Sequence, residues 1–377
     1  MVTRSHPSDP ACLASASRTA QRLPAEQLCA DELAHLAAHD TLTRPPGWRL
    51  SMPAVRSFIL GGSVAGQTIR RKMVCAPSLI ERSLVTLASQ RALLLVGEPG
   101  TAKSLLSELL AAAVCGTSTL TVQGSAATTE DQIRYGWNYA LLLNQGPSVQ
   151  ALVPSPLLRA MQSGQIARFE EITRCPPEVR DALLSVLSER LLAVPELPAE
   201  NTVFAQPGFN LIATANTRDR GVNEMSAALK RRFAFETVLP IADHASELAL
   251  VYSEVTRLLA QGGVPVTPNE PLLDVLVTTF RDLRQGVDQE GGATDRLSSV
   301  LSTAEAVSVA HAVTLRGHYL RGDNGQPSDL VEALAGTAAK DNADDLKKLR
   351  RYIEHRAARR TGEHWAAFHA APPALPQ

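Results

Sequence analysis

Apolar positions along the chain change their spacing more than once, and each change marks a different kind of structure. Residues 1 to about 23 are rich in Ser, Ala, Thr and Pro without any period, which predicts a mobile tail unable to offset its own ordering entropy. From Pro24 to Asp40, Leu28, Leu33, Leu36 and Ala37 recur at helical spacing, and Arg44-Pro45-Pro46-Gly47 then breaks the pattern, so 1–46 reads as tail, short helix and linker. From about Ser78 helix and strand alternate: a helix through Leu87, the run Ala92–Val96, a Gly-rich turn, and an apolar helix Ser104–Cys115. Further strands are predicted at Thr119–Gln123, Ile166–Glu170, Phe209–Ala215 and Phe235–Leu239, with Val179, Leu183, Val186 and Leu187 marking a helix between them. Five strands joined by helical crossovers predict an α/β core over 47–242 with a parallel sheet covered by helices.

After Pro240 the strand signals fade. His244–Ala260, Leu272–Arg284, Arg296–Leu315 and Asp329–Ala339 read as helices separated by Gly or Pro, giving an all-helical unit over 243–340. Residues 341–377 form a charged C-terminal helix and tail; Lys340–Arg360 mixes both signs of charge and reads as a solvated helix, with a docking element as the alternative.

Composition narrows the function classes. A chain of 377 residues has room for two or three domains. Its 37 Lys and Arg against 38 Asp and Glu leave a net charge of −1, without the basic excess that would grip nucleic acid. The five cysteines are scattered, odd in number and free of C-x-x-C pairs, which argues against a zinc site or a disulfide framework and suits a reducing cytoplasm. The N-terminus lacks an apolar signal core, and no apolar run is long enough to cross a bilayer, so a soluble cytoplasmic protein is expected.

Chemistry concentrates at strand ends. Gly97-Glu98-Pro99-Gly100-Thr101-Ala102-Lys103-Ser104 follows a strand and opens a helix, as a phosphate-cradling P-loop must. Loop and helix N–H groups would hold phosphate oxygens, Lys103 would reach the terminal phosphates, and the Ser104 hydroxyl would ligate Mg²⁺; with Leu105, these residues form the candidate ATP site. Ala102 stands where the usual pattern has Gly, tolerable with helical dihedrals but crowding if the loop needs positive φ. A Gly-Pro turn that merely caps a helix is the plain alternative.

Ile166–Glu170 ends in the paired acids Glu170-Glu171, the first suited to hydrated Mg²⁺ and the second to polarising an attacking water. Arg168 interrupts this otherwise apolar strand, and solvated acids at a strand end remain the alternative. Leu211–Ala215 delivers Asn216 at the sheet edge where ligands bind in open α/β folds, although an Asx-turn would also place an Asn there. Lys230-Arg231-Arg232 closes a helix; Arg232, with Arg231 in reserve, could serve a neighbouring subunit's phosphates or simply complement the helix dipole. Arg296 opens a helix of the second unit and could reach the same phosphates, with Arg281 and Arg284 as less well placed alternatives.

In this order the motifs resemble the MoxR family of AAA+ ATPases, of the helix-2-insert clade shared with magnesium chelatase and McrB-type motors. The resemblance runs from about Gly47 to Lys340 and includes Pro154-Ser155-Pro156-Leu157-Leu158-Arg159-Ala160, Glu171-Ile172-Thr173-Arg174-Cys175-Pro176-Pro177 and Arg231-Arg232-Phe233. Phe169-Glu170-Glu171 and Arg134-Tyr135-Gly136-Trp137-Asn138-Tyr139 are similar to the branch typified by the bacterial YehL proteins. Many family members have Asp-Glu and Asn where this chain has Glu170-Glu171 and Thr173. The resemblance implies an AAA+ P-loop core with an insert near 136–153 and a helical lid, and ATP and Mg²⁺ as cofactors. Asn216 would be sensor 1, Arg232 the arginine finger and Arg296 sensor 2. It also implies a homo-oligomeric ring, expected to be a hexamer, that remodels a protein client such as a von Willebrand factor A domain protein or a SWIM zinc-finger protein. Two rivals stand beside this motor: a catalytically weak nucleotide-gated scaffold and a nucleic-acid motor of McrB type. Tyr135, Trp137 and Tyr139 alternate like one aromatic face of a hairpin, for packing or for contact with a partner.

Overall fold

A computed structural model describes residues 22–198, 201–217, 225–288, 291–298, 301–339 and 342–371. Of the tail expected over residues 1 to about 23, the first 21 lie outside them. The chain divides into two compact units: the residues up to Val96 with Lys103–Thr237, and Gly97–Ala102 with the residues from Val238 onward.

The first unit is built on a five-stranded sheet, β1 (Ala92–Gly97), β2 (Thr121–Gln123), β3 (Ile166–Glu170), β4 (Asn210–Asn216) and β5 (Phe233–Thr237), in the order β5-β1-β4-β3-β2. The pairings of β5 with β1, β4 with β3 and β2 with β3 are parallel. Every residue of β1, β3 and β4 is buried, so their apolar runs are continuous rather than alternating. The last strand begins two positions before the predicted Phe235: Phe233 pairs with Ala92 and is buried, whereas Leu239, taken for its end, is 72% exposed.

Helices α1 (Lys103–Cys115), α2 (Leu183–Glu189) and α3 (Ala227–Lys230) belong to this unit. α1 is buried along nearly its whole length, which explains why its sequence is continuously apolar from Leu109 to Cys115. The N-terminal helix Ala25–Leu28 docks onto it, with Glu108 accepting from the Ala25 N–H and pairing with Arg22, and Ala30–His39 packs on the helix Met52–Leu60. Gly47, Gly164 and Gly208 meet around Pro207. A β-carbon on Gly47 or Gly164 would fall 2.3 Å from the Pro207 carbonyl oxygen, and all three have positive φ, so only glycine fits this contact.

The insert is a short antiparallel pair, Tyr135–Trp137 with Leu152–Pro154, enclosing a helix Tyr139–Gln145. Its aromatic alternation stops at Trp137, because Asn138 caps that helix and Tyr139 turns outward, 69% exposed. Tyr135 is a packing residue: it is buried, stacks edge-on to Trp137 and donates to Glu196 Oε2 at 2.8 Å. Burial and the Glu196 carboxylate push its phenol up to about 12.

The second unit is helical: α4 (His244–Gln261), α5 (Glu270–Gln285), α6 (Thr303–Arg321), α7 (Pro327–Leu334), α8 (Ala343–His355) and α9 (Glu363–His369). Their starts follow cap chemistry. Asp243, Asn269 and Asn342 accept from the first-turn N–H groups of α4, α5 and α8, and Ser302 with Glu305 forms a capping box on α6.

That box corrects the expected helix from Arg296, since α6 begins only at Thr303. Leu297 and Leu301 are buried and mimic helical spacing, but they belong to an irregular strap whose Leu297 N–H donates to Leu283 O. The C-terminal segment is corrected as well. α8 is a docked helix, not a solvated one: Leu349, Tyr352 and Ile353 join the core of the second unit, and Trp365 and Phe368 of α9 pack there too.

This docking predicts that Leu349→Ala, a truncation at a site with no solvent exposure, lowers stability by about 2–5 kcal/mol. Urea unfolding of the full chain measures it. A change within about 0.5 kcal/mol, as for a solvent-facing residue, would return α8 to the solvated state.

Candidate functional site

The site residues fall into two groups, one in each unit. In the first unit, Lys103 is the opening residue of α1 and is buried, and Ser104 and Leu105 follow on its exposed first turn. Ser104 Oγ donates to Glu170 Oε2 at 2.6 Å, so the loop's hydroxyl and the first acid of β3 stand in direct contact.

Glu170 is the hub of this group. Its Oε1 accepts from Ser107 Oγ at 2.6 Å and from Arg168 Nη2 at 2.8 Å, and its Oε2 also accepts from Thr214 Oγ1 at 2.7 Å. Burial works to raise its pKa, but the Ser104 and Ser107 hydrogen bonds, the Arg168 charge and the Thr214 bond outweigh burial and hold the carboxyl below its ordinary value. Arg168 therefore does not interrupt the strand by accident. It is itself buried, and its guanidinium also donates to Ser107 Oγ, Ser104 O and Ser118 O, so its charge and its N–H groups are spent inside the unit.

Glu171 leaves this cluster. Its φ of +53° turns the chain out of the sheet into the short 3-10 helix Ile172–Arg174, and its N–H donates to Thr214 Oγ1. Its carboxylate faces Arg174 Nη1 at 3.0 Å and Gln123 Nε2 at 3.2 Å. Asn216 ends β4 and is buried at the same carboxyl edge of the sheet. Arg231 and Arg232 follow the end of α3; both are exposed, and Arg232 Nε donates to Ser188 Oγ at 2.7 Å at the end of α2.

In the second unit, Thr101 donates from its N–H and its hydroxyl to Glu98 O, closing a turn over Pro99 and Gly100. Gly100 has φ +75°, and a β-carbon there would lie 2.0 Å from Ser302 Cβ, so this glycine serves close approach as well as the turn. A β-carbon on Gly97 would meet Val238 O at 2.4 Å. Ala102 has φ +65°, which resolves the sequence question against helical dihedrals. An L-residue held there costs about 1–2 kcal/mol that glycine would not.

The three arginine alternatives separate cleanly. Arg281 and Arg284 are held by Glu247, buried to 1%, at 2.9 and 3.0 Å, and Thr303 Oγ1 completes that carboxylate's shell. Arg296 is 55% exposed, and its guanidinium meets Glu98 Oε1 of the loop at 3.9 Å. It sits in the strap before α6 rather than on the helix. Sequence reasoning assigned no role to Ser107 and Thr214. Their signal is a hydroxyl in a mostly apolar element, Ser107 one turn after Ser104 on α1 and Thr214 beside Glu170 on the neighbouring strand.

A hydroxyl and an ionised carboxylate within 2.6 Å form an all-oxygen donor set that fits a hard divalent cation such as Mg²⁺, and Ser104 and Glu170 would hold it. Among the described residues no cluster of three or more His, Cys, Asp or Glu offers another metal site, and no helix is long and apolar enough to cross a membrane.

Two family models match the chain. Residues 92–233 match the AAA domain of the dynein-related subfamily, and residues 245–370 match the YehL-like AAA+ ATPase C-terminal domain. The chain is 58% identical over 357 residues to protein YehL of Escherichia coli K12, covering 94% of this chain and 98% of that one. It is 33% identical over 141 residues to the Staphylococcus haemolyticus protein SH1500, covering 37% of this chain and 52% of that one. Among solved structures it is similar to NtrX of Brucella abortus, with TM-score 0.47, 12% identity and coverage of 80% of this chain and 64% of that one.

The hub makes a direct prediction. Arg168→Leu leaves a buried carboxylate without its cation and should destabilise the fold by about 3–5 kcal/mol, whereas Arg168→Leu with Glu170→Leu should recover part of that loss. Denaturant unfolding of both variants checks it. A single variant as stable as the parent would show that Arg168 does not hold Glu170.

Proposed function

We propose a nucleotide-driven motor cycle for this chain, which belongs to the YehL-like AAA+ ATPases. In this reading Gly97–Leu105 binds the phosphates of ATP, and Lys103 supplies the loop's cation. The observation that carries it is the 2.6 Å contact between Ser104 Oγ and Glu170, which joins the loop's hydroxyl to the acid of β3. Bound there, Mg²⁺ would neutralise developing phosphate charge.

Each remaining residue then has one task. Glu171, on the outward turn, orients and polarises the attacking water, and its contacts with Arg174 and Gln123 hold the carboxylate in place. Asn216 hydrogen-bonds the water or the terminal phosphate. Arg296 meets the phosphates beside Glu98. Arg232, exposed at the end of α3, serves the ATP of a neighbouring copy in a homo-oligomeric ring, a hexamer in this reading. The cycle remodels a protein client, for which a von Willebrand factor A domain protein and a SWIM zinc-finger protein are the proposed partners.

Two observations favour a second reading, a nucleotide-gated scaffold with weak turnover. Glu170 already has its charge matched by Arg168, and Ala102 strains the loop. Turnover measured against binding separates the two.

Glu171→Gln should keep Mg-ATP bound while slowing hydrolysis by roughly 10²-fold or more, a loss of about 2.7 kcal/mol in transition-state stabilisation. If Glu170→Gln gives that phenotype and Glu171→Gln does not, the roles of the two acids are exchanged.

Arg232→Ala should bind ATP yet lose turnover on the order of 10³-fold, as for other trans-acting arginines. Mixing Arg232→Ala with Lys103→Ala should restore activity, because some interfaces then pair an intact lysine with an intact arginine. Mixed rings seen by native mass spectrometry without restored hydrolysis would make Arg232 a helix-end cation only.

A further inference from the structure

The strap that carries Arg296 has little regular structure of its own, yet the residues around Arg296 are pinned. Toward α5, Thr294 donates from its N–H to Gly286 O and from its hydroxyl to Asp282 O, and Leu297 N–H donates to Leu283 O. The other attachments come from α8 and the residue that follows it. Asp345, with no solvent exposure, accepts from the Ser298 N–H at 3.0 Å and also from the Ser298 hydroxyl. Lys348 Nζ donates to the carbonyl of Arg296 itself at 3.2 Å. Arg351 pairs with Asp295 at 3.1 Å, and Arg356 donates to Ala293 O and pairs with Asp288.

Asp345, Lys348, Tyr352 and Arg356 are spaced three, four and four apart, which is one face of a helix. Tyr352 ties that face to α5 by donating to Asp282 Oδ2 at 2.7 Å. Arg296 brings its guanidinium to the loop's Glu98, at 3.9 Å, while its carbonyl and its neighbours are held by α5, α8 and Arg356.

We propose that this face of α8 is a positioning clamp for Arg296: it holds the strap so that the guanidinium is presented to the phosphates of a bound nucleotide. The inference rests on the reading of Arg296 as a phosphate-facing cation. Its physical basis is entropy. Ordering a loop residue costs backbone freedom, and a cation ordered before the ligand arrives avoids that loss on binding. Asp345 and Lys348 are positioning residues and would touch no substrate.

The test is a double-mutant cycle in the full chain, read by calorimetric titration with ATPγS. Arg296→Ala should weaken binding about tenfold, equivalent to about 1.4 kcal/mol. Asp345→Asn should weaken it several-fold in the parent chain and less than about twofold once Arg296 is Ala, because the clamp then has nothing to position. Lys348→Met, which removes the bond to the Arg296 carbonyl, repeats the cycle should Asp345→Asn fail to fold. If Arg296→Ala weakens binding but the clamp variants do not, or weaken it equally in both backgrounds, the clamp is overturned and the role of Arg296 stands. If Arg296→Ala leaves the affinity unchanged, that role falls, and the clamp with it.

Discussion

A carboxylate buried at the end of a central strand is the constraint around which the core is arranged. Removing an ion from water costs several kcal/mol unless partners replace the lost hydration, and Glu170 finds four of them on three elements. Ser104 and Ser107 fix the rotation of α1, Arg168 occupies the strand position two residues earlier, and Thr214 fixes the register of β4 beside β3. The same requirement that makes the fold specific brings the loop's hydroxyl against an ionised acid. Structural and chemical demands coincide at one group, so substitutions at Ser107 or Thr214 act on the site although neither belongs to a recognised motif.

Much of this was legible in the sequence because burial on two faces writes itself as an uninterrupted apolar run. β1 is such a run, β3 and β4 are so apart from Arg168 and Thr214, and the strand ends locate Gly97, Glu170 and Asn216. The misreadings have a common origin in long-range polar contacts, which leave no local period. Arg168 reads as a flaw in a strand until its partners Ser107 and Glu170 are known. The strap around Arg296 reads as helix because Leu297 and Leu301 fall at helical spacing, while the contact from Asp345 that organises it lies 47 residues away. α8 reads as solvated for the same reason, since several of its charges are spent within its own unit. Ala102 was the reverse case: the sequence posed the question of its backbone, and only the dihedral angle could answer it.

The second unit shows how a charged sequence can still build a core. Glu247 with Arg281 and Arg284, and Asp282 with Tyr352 and Arg360, are closed polar groups set among apolar side chains. Burial keeps the Asp282 carboxyl above its usual range despite the Tyr352 and Arg360 bonds. Groups of this kind demand one geometry and tolerate few others, whereas apolar contacts accept several. A strap with little secondary structure of its own gains a defined path from such anchors.

The glycine contact around Pro207 bears on the order in which the chain can assemble. Gly47, Gly164 and Gly208 come from stretches far apart in sequence, and Gly208 approaches both of the others. During synthesis the contact of Gly47 with Pro207 and Gly208 therefore cannot form until residue 208 has left the ribosome. Closing so long a loop carries its entropic penalty before any contact compensates it, which places this junction among the late and slow events of folding.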